Sequence, residues 1–349
     1  MGVTLPGLLL AMVALTLSTF LLLHLHLKPG SPWAGVARRR NISILLWHWP
    51  FQRRYSLQGD VCWDHFRIPG CLLWDDHTLF ANANVVVFHH HELKTGRSEL
   101  PLHLPRPPAQ KWLWLSLESP ATNGNLSRFN GLFNWTMSYR RDADIFMPYG
   151  EVVPREKANG NGGDRDFAVP KKDPKLLVCW VVSNYRTRHK RAQVYRSLRR
   201  QIPVEVFGRS VKRPLSAHEL LPTISRCYFY LAFENSLFQD YITEKLWHNS
   251  YLAGTVPVVL GPPRPNYEAL APPGSFIHID DFNSTATLAT FLRGLAADSE
   301  RYSSYFRWHR DYDVRIVRDW RERLCHICAR YYHLAPRKVY HHLDTWTQE

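Results

Sequence analysis

Charged residues are absent from Val3 to Leu27, a stretch of about 25 residues that is long enough to cross a bilayer as a helix. The sequence also lacks a basic segment before this run and an A-x-A-like site after it, both of which mark a cleaved signal peptide. Proline at position 6 breaks the N-myristoylation pattern. We therefore expect an uncleaved signal-anchor over residues 5–27, after a short cytoplasmic tail (residues 1–4) and before a stem (residues 28–40).

Acidic residues are outnumbered, with 30 Asp and Glu against 44 Lys and Arg, which gives a net charge of +14. Such an excess calls for an anionic partner. Nucleic acid is one class, but the basic residues are scattered and form no tail, finger or recognition motif, so we expect no nucleic-acid partner. A nucleotide-sugar donor or an acidic glycan fits the charge as well. Disorder is excluded by 45% hydrophobic residues and 13 Trp.

Basic residues and sequons after the anchor predict opposite orientations of the anchor in the membrane. Arg38, Arg39 and Arg40 follow it, and the positive-inside rule would place them in the cytoplasm. Four N-x-S/T sequons favour a lumenal address for the downstream chain instead. We expect N-glycosylation at these positions, which are Asn41, Asn125, Asn134 and Asn283.

Six cysteines are an even number, which in an oxidising lumen indicates disulfides. Fifteen pairings are possible and the spacing alone does not choose among them. The Cys325-x-x-Cys328 pair would be typical of a redox or zinc site in a cytosolic protein.

Short runs of β-branched and aromatic residues recur along the chain, typical of parallel strands covered on both faces. They predict an α/β domain over residues 41–155 and a second over residues 176–330. A Gly-, Asn- and Pro-rich linker, residues 156–175, separates them. The chain from about Arg301 is expected to be helical and to cross between the domains, and residues 331–349 are expected to pack back on the first. The predicted strands are 41–49, 83–88, 112–117, 145–147, 176–182, 204–207, 228–233, 256–260 and 276–279, and the predicted helices are 186–200 and 285–297.

Residues 228–263 form the most informative stretch. An apolar strand ends at Phe233, a helical pattern runs from Tyr241 to about Leu252, and a second apolar strand ends at Leu260, before the breaker Gly261. Ligands bind at the carboxyl ends of strands in such units. The alternative is a solvated strand-helix junction with an ordinary surface salt bridge.

The segments FEN-S, DYITEKLW and AGTVPVVLGP in this stretch resemble the donor-binding signature of the α1,3-fucosyltransferases. This family transfers fucose from GDP-fucose to N-acetylglucosamine, and the resemblance extends over residues 41–349. It implies an α/β GT-B fold, in which two Rossmann-like domains face a cleft. It also implies GDP-fucose as donor, lactosamine-type glycans on glycoproteins and glycolipids as acceptors, no metal or other cofactor, and a single-pass type II protein of the Golgi membrane with a lumenal catalytic domain.

The resemblance also assigns roles. Glu118 lies in an E-S-P motif that carries the family's proposed general base, and a carboxylate at a strand end suits that task, the alternative being a turn or capping carboxylate. Arg191 and Lys245 match the groups that neutralise GDP. The full donor-binding set is Ser183, Asn184, Arg191, Tyr230, Glu234, Asn235, Tyr241, Glu244 and Lys245.

Two further motifs allow alternatives. Asp142 and Asp144 form a D-x-D pair of the type that chelates Mn²⁺ in other glycosyltransferases. The surrounding Y-R-R-D-A-D-I-F is similar to a segment of this metal-independent family, which favours a structural role and no metal site. Trp308 aligns with an acceptor-stacking tryptophan, with core packing as the alternative.

The acceptor is less well defined. His91 stands where the family has Arg or Trp after two histidines, a position that influences linkage, so the 1,3 versus 1,4 preference stays open. The run Trp47-His48-Trp49-Pro50-Phe51 looks most like the leukocyte-type subgroup, which fucosylates sialylated lactosamine. The alternatives are an α1,3/1,4 enzyme for neutral type 1 and type 2 acceptors, and a non-catalytic lumenal glycan-binding protein. The resemblance also suggests the disulfides Cys62–Cys325, Cys71–Cys328 and Cys179–Cys227.

Overall fold

The computed structural model describes residues 41–155 and 167–349. The expected tail, signal-anchor and stem, and residues 156–166 of the expected linker, lie outside these ranges. Within them, every helix is too short or too polar to traverse a bilayer.

The first half of the described chain forms a six-stranded parallel sheet in the order β2-β1-β3-β4-β5-β6. The chain moves from β1 to β2 on one side and then returns to β3 on the other, so the topological switch point lies between β1 and β3. The sequence predicted β1, β3, β4 and β6 but missed β2 and β5, which have only four residues each; β5 also mixes polar and apolar residues. The strands are β1 Ile42–Leu46, β2 Cys71–Trp74, β3 Val85–His89, β4 Lys111–Ser116, β5 Trp135–Ser138 and β6 Ile145–Phe146, and β7, Glu151–Pro154, follows outside this sheet.

The second half forms a five-stranded parallel sheet in the order β12-β11-β10-β8-β9, built from strands that were all predicted. Its switch point lies between β8 and β10, because the chain leaves β8 for β9 and returns on the opposite side. The strands are β8 Val178–Val181, β9 Val204–Phe207, β10 Phe229–Phe233, β11 Val256–Leu260 and β12 Ile277–His278.

Both sheets are covered on both faces, which confirms the α/β class. In β1, Ile44 packs into one apolar cluster and Leu45 into the cluster on the opposite face. In β10, Leu231 and Tyr230 divide between two clusters in the same way. Alternate residues of each strand therefore serve different cores, which explains the continuous apolar runs.

Helices connect the strands and differ in part from the expected ones. The helix predicted over 285–297 has those bounds, and Ser284 caps it by accepting from the Thr287 amide at 3.1 Å. The helix predicted over 186–200 is shorter in the structure and spans Lys190–Leu198. The helices are α1 Val61–Phe66, α2 His90–Lys94, α3 Pro120–Asn123, α4 Lys190–Leu198, α5 Ala217–Ser225, α6 Glu244–Leu246 (continued by a π-helical turn, Trp247–Tyr251), α7 Arg264–Glu268, α8 Thr285–Ala297, α9 Ser299–Ser304, α10 Trp320–Arg330 and α11 Leu343–Gln348, with 3₁₀ turns at Pro50–Gln52, His77–Asn82, Ser127–Phe129, Arg209–Val211, Ile279–Asp281, Arg307–Arg310 and Tyr331–His333.

The C-terminal part is not wholly helical, as the sequence had suggested. It contains β13, Tyr312–Arg315, which pairs antiparallel with β7. Helix α10 then buries Leu324 and Ile327 in the core of the first sheet, so the return to that sheet begins within the range 176–330.

All six cysteines are paired in the structure. Cys62–Cys325 and Cys71–Cys328 join α10 to α1 and β2, and Cys179–Cys227 lies in the second half. These are the three pairs that the family resemblance suggests.

Candidate active site

The carboxyl edge of the second sheet places the predicted donor residues at its switch point. Ser183 and Asn184 follow β8 and are exposed, whereas Glu234 and Asn235 follow β10. Because β8 and β10 are neighbours, these two ends meet where open α/β sheets bind their ligands. The buried Asn235 Oδ1 has no hydrogen-bond partner among the described residues, so it is available as a ligand acceptor site.

Arg191, on α4, is a buried cation behind this crevice, with 5% of its surface exposed. Its Nη1 donates to the Phe233 carbonyl oxygen at 3.4 Å and its Nη2 donates to that of Asn184. Its buried Nε has no partner in the described structure. Burial lowers the pKa of Arg191, but a guanidinium keeps its proton at any physiological pH. The chain thus holds a buried charge whose remaining donor suits an anionic ligand.

Lys245 lies at the start of α6 and is already surrounded by oxygen acceptors. Its Nζ contacts Thr243 Oγ1 at 2.6 Å, Glu234 Oε2 at 2.9 Å and Glu244 Oε1 at 3.1 Å. Glu234 is fully buried, whereas about half of the Glu244 side chain is exposed. The Glu244 contact is therefore the one that a ligand could replace at least cost.

Thr243 and Gly261 hold Glu234 in place. Glu234 Oε1 accepts from the Thr243 amide at 2.8 Å and its hydroxyl at 2.9 Å. A side chain at Gly261 would collide with the Tyr267 hydroxyl and approach Glu234 Cγ to 3.1 Å. The glycine of the GP signature is thus explained by the close approach of the Tyr267 hydroxyl and, less tightly, of the Glu234 side chain.

Electrostatics keep Lys245 charged. Burial alone would lower its pKa, but the neighbouring carboxylates of Glu234 and Glu244 outweigh burial and raise it above its ordinary value. Burial raises the pKa of Glu234, an effect that Lys245 partly offsets. The ammonium and its anchor therefore form one coupled unit.

The two predicted tyrosines occupy different environments. Tyr241 is buried beside Tyr139, with ring centroids 5.0 Å apart, in the loop that leads to Lys245. Tyr230 is completely buried, and its hydroxyl accepts from Asn249 Nδ2 at 3.1 Å. Burial raises the pKa of Tyr230 to about 12. In this structure Tyr230 therefore lies in the core behind the crevice, and its donor-binding role stays a prediction.

Glu118 faces this crevice from the first sheet. It follows β4, and its neighbour Ser119 donates from Oγ to Ser236 Oγ at 3.0 Å across the two sheets. The Glu118 carbonyl oxygen accepts from Asn123 Nδ2 at 2.9 Å, which fixes the turn. Burial, and then the carboxylate of Glu244, raise the pKa of Glu118. A carboxylate with a raised pKa is a stronger base, as proton abstraction requires.

A second contact between the sheets involves residues that the sequence did not single out. Asp240 is buried with φ 58°, and its carboxylate accepts from the Arg141 amide at 3.0 Å, Arg141 Nε at 2.9 Å and Asn266 Nδ2 at 2.8 Å. Asp240 immediately precedes Tyr241, so this network sets the loop that carries the donor residues. Only its place in the DYITEK signature could have pointed to it.

The D-x-D carboxylates are committed to structural partners. Asp142 accepts from Arg140 Nε at 2.8 Å and from Trp346 Nε1 at 3.1 Å. Asp144 accepts from Lys338 Nζ at 2.7 Å and the Tyr340 hydroxyl at 2.9 Å. Both side chains thus fasten the C-terminal segment to the first sheet, the structural role that the sequence favoured.

The predicted acceptor residues do not lie together. His91, on α2, is half-buried, and its ring lies 4.9 Å from that of Phe51. Trp308 is only 6% exposed and packs against Tyr251 at 5.0 Å within the core of the second half. The core-packing alternative is therefore the one that the structure supports for Trp308.

Phe51 is an aromatic residue that the sequence did not assign a role. It is 51% exposed, lies beside His91, and has φ 52° in a turn where Gln52 also has a positive φ, 59°. The Phe51 amide donates to Glu92 Oε1 at 2.8 Å, and Glu92 in turn pairs with His89 Nδ1. Two consecutive non-glycine residues in the left-handed region are strained, and such strain concentrates at ligand sites.

The four sequons differ in accessibility. Asn41, Asn125 and Asn283 are exposed. Asn134 is mostly buried, its Oδ1 accepts from the Trp112 amide, and its Nδ2 donates to the Lys338 carbonyl oxygen at 2.9 Å.

Sequence comparisons match nearly the whole chain. A profile described as "Glycosyltransferase family 10 (fucosyltransferase) C-term" matches residues 169–346, and one described as "Fucosyltransferase, N-terminal" matches residues 39–150. Alpha-(1,3)-fucosyltransferase 7 of Homo sapiens is 47% identical over 341 residues, 97% of this chain and 95% of its own length. The protein of that name from Mus musculus is 46% identical over 333 residues, 95% of this chain and 82% of its own.

A more distant relative and a solved structure complete the comparison. The Mus musculus 4-galactosyl-N-acetylglucosaminide 3-alpha-L-fucosyltransferase 9 is 38% identical over 343 residues, 93% of this chain and 92% of its own. The crystal structure of an α1,3-fucosyltransferase with GDP-fucose is 17% identical, with a TM-score of 0.49, over 78% of this chain and 83% of that one.

Proposed function

The chain belongs to glycosyltransferase family 10, the fucosyltransferases, and on this premise we propose that it transfers fucose from GDP-fucose to the 3-hydroxyl of N-acetylglucosamine in lactosamine-type glycans. One observation carries the proposal. Glu118, with its raised pKa, faces a crevice that holds Arg191, with an unpartnered buried N–H, and Lys245. A non-catalytic glycan-binding protein would have no use for a base opposite a phosphate site.

The proposed reaction is a single inverting displacement. Glu118 takes the proton of the acceptor hydroxyl, whose oxygen forms a bond to fucose C1 through an oxocarbenium-like transition state. The bond from C1 to the β-phosphate oxygen breaks, and GDP departs with the electron pair. Arg191 and Lys245 stabilise the charge that develops on the leaving phosphate.

To bind the leaving phosphate, the Lys245 ammonium must give up one of its three present hydrogen-bond acceptors. We expect it to keep the buried Glu234 and to exchange the exposed Glu244 for a phosphate oxygen when GDP-fucose binds. Two fixed cations would then supply the charge that a divalent metal supplies elsewhere, so we propose that no metal is required. The two parallel sheets, with donor and base residues on opposite partners, fit the GT-B arrangement.

The acceptor side rests on Phe51 and His91, beside the turn that holds the base. We propose sialylated lactosamine as the acceptor, which suits the positive charge of the chain, and a single-pass type II location in the Golgi membrane. The second candidate, an α1,3/1,4 enzyme for neutral acceptors, follows from His91, which departs from the residues that the family has there.

The decisive experiment incubates the full chain in detergent with GDP-fucose and sialylated and neutral type 1 and type 2 lactosamines, with EDTA or with Mn²⁺. We expect fucose on the 3-position of sialylated type 2 acceptors, unaffected by EDTA. Glycan binding without consumption of GDP-fucose would refute the enzymatic proposal. Strict dependence on Mn²⁺ would refute the metal-free clamp, and preference for neutral type 1 acceptors would favour the second candidate.

A further inference from the structure

The first sheet has a switch point of its own, between β1 and β3, and a cleft of ≈ 630 Å³ opens at its carboxyl edge. This volume lies within the range of small-ligand sites, and switch points are where such sheets bind ligands. Its lining includes Trp47, His48, Arg54, His77 and Arg97. None of these residues belongs to the donor site.

One wall of the cleft is rigid and aromatic. The rings of Trp47 and His77 stack at 3.8 Å with 6° between their planes, and His77 Nε2 lies 2.6 Å from the Trp47 carbonyl oxygen. Trp47 Nε1 donates to the Glu99 carbonyl oxygen at 3.0 Å. An ordered aromatic face of this kind suits the C–H face of a sugar ring.

The acidic residues of the cleft are satisfied by the protein itself. Asp75 Oδ2 accepts from Trp49 Nε1 at 2.8 Å, and Asp76 Oδ1 accepts from the Thr78 amide at 2.9 Å. Glu92 holds Phe51 and His89, as described above. The three carboxylates of the cleft keep their negative charge, but each already accepts hydrogen bonds from the protein.

The two arginines are different. Neither Arg54 nor Arg97 has a side-chain hydrogen bond or ion pair within the described parts of the chain. Burial, His77 and Arg54 all lower the pKa of His48, with Glu92 opposing, so that imidazole stays neutral near neutral pH and adds no charge. The guanidinium groups are thus the charged donors of the cleft that have no acceptor among the described residues, and their planar donors match carboxylate or sulfate oxygens.

The position of the cleft relative to Glu118 fits an oligosaccharide. Glu118 follows β4, whose next neighbours along the sheet are β3 and then β1. Two strand spacings are about 10 Å, so the cleft lies a short glycan segment away from the base. His91 and Phe51, at the end of β3 and after β1, lie along this path.

We propose that this cleft binds the anionic group of the acceptor glycan, a carboxylate on the second sugar beyond the reacting one or a sulfate ester on the first, through Arg54 and Arg97. The inference rests on the proposed function and adds to it the residues that read the charge. It predicts selectivity for anionic acceptors without any contribution from the donor crevice.

The test compares Arg54→Gln, Arg97→Gln and the double variant with wild type at saturating GDP-fucose. Acceptors are 3′-sialyl-lactosamine, 3′-sulfo-lactosamine and neutral lactosamine. Because charge-assisted hydrogen bonds are lost, kcat/KM for the preferred anionic acceptor should fall about tenfold in each single variant and further in the double. The value for neutral lactosamine and the KM for GDP-fucose should stay unchanged. Arg53→Gln removes the same charge from an exposed residue that stacks on Tyr55 outside the cleft, and is the matched control.

The acceptor arms separate the two anion sources, since the wild-type preference between the sialyl and sulfo compounds identifies which group the cleft accepts. An equal loss with neutral lactosamine, an equal effect of Arg53→Gln, or an unchanged ratio of anionic to neutral acceptor would overturn the subsite. A wild type that transfers fucose to none of the three would instead refute the proposed function.

Discussion

The two switch points of the molecule hold their charges in opposite ways. At the second sheet, Arg191 and Glu234 are buried, and Lys245 has three acceptors before any ligand arrives. At the first sheet, Arg54 and Arg97 are exposed and without partners in the described structure, while the carboxylates around them are engaged. A preorganised site recognises one fixed group, such as a diphosphate, whereas an open one tolerates variation in a glycan. The comparison predicts where substitutions will affect catalysis, folding or specificity.

Glu118→Gln, between the two switch points, should have the largest effect. Loss of the base should lower kcat by about 10²- to 10⁴-fold with little change in the KM for GDP-fucose. The exposed Glu99→Gln is the control and should behave as wild type.

The pH dependence of wild type checks the same assignment. Because the pKa of Glu118 is raised above its ordinary value of 4.5, the base is lost to protonation as pH falls through that raised value. The fall of kcat/KM at acidic pH should therefore occur at a higher pH than it would with a carboxylate of ordinary pKa. Near-wild-type turnover of the Gln variant would contradict the role.

Glu234→Gln and Glu244→Gln compare a buried partner of Lys245 with an exposed one. Glu234→Gln leaves Lys245 without its buried counter-charge, which should cost about 3 kcal/mol of unfolding free energy and weaken GDP binding. Glu244→Gln removes a half-exposed contact and should cost less than about 1 kcal/mol. Urea unfolding and calorimetric titration with GDP measure the two quantities. Equal destabilisation by both changes would show that the crevice is not preorganised.

Phe51→Leu and Trp308→Leu should give the smallest effects, and of different kinds. Phe51 is exposed, so its change should raise the acceptor KM severalfold and leave the melting temperature as it is. Trp308 is packed in the core, so its change should lower the melting temperature by several degrees and leave the acceptor KM as it is. A raised acceptor KM in Trp308→Leu with unchanged stability would restore the stacking role.

The sequence predicted the strands of the second sheet well because the three central ones, β8, β10 and β11, are continuous apolar runs. It missed β2 and β5, which are only four residues long, with Thr136 interrupting the apolar pattern of β5, and β13, whose residues Tyr312–Arg315 are half polar. The family resemblance located Glu118, Arg191 and Lys245, but could not distinguish a crevice residue from a core residue. In the sequence, Tyr230 and Trp308 match family positions that bind ligands. Only the tertiary structure shows that both side chains are buried.

Residue order by itself determined the α/β class, the likeness to a family and the chemical types at the donor crevice, because local periodicity and a long ungapped signature carry that information. Tertiary structure alone decided which charges are compensated. Lys245 is paired, Arg191 keeps one free donor, and Arg54 and Arg97 have no ion-pair partner among the described residues, since pairing depends on distances between segments far apart in the chain. Those distances follow from the strand order of each sheet, which a sequence of apolar runs does not specify.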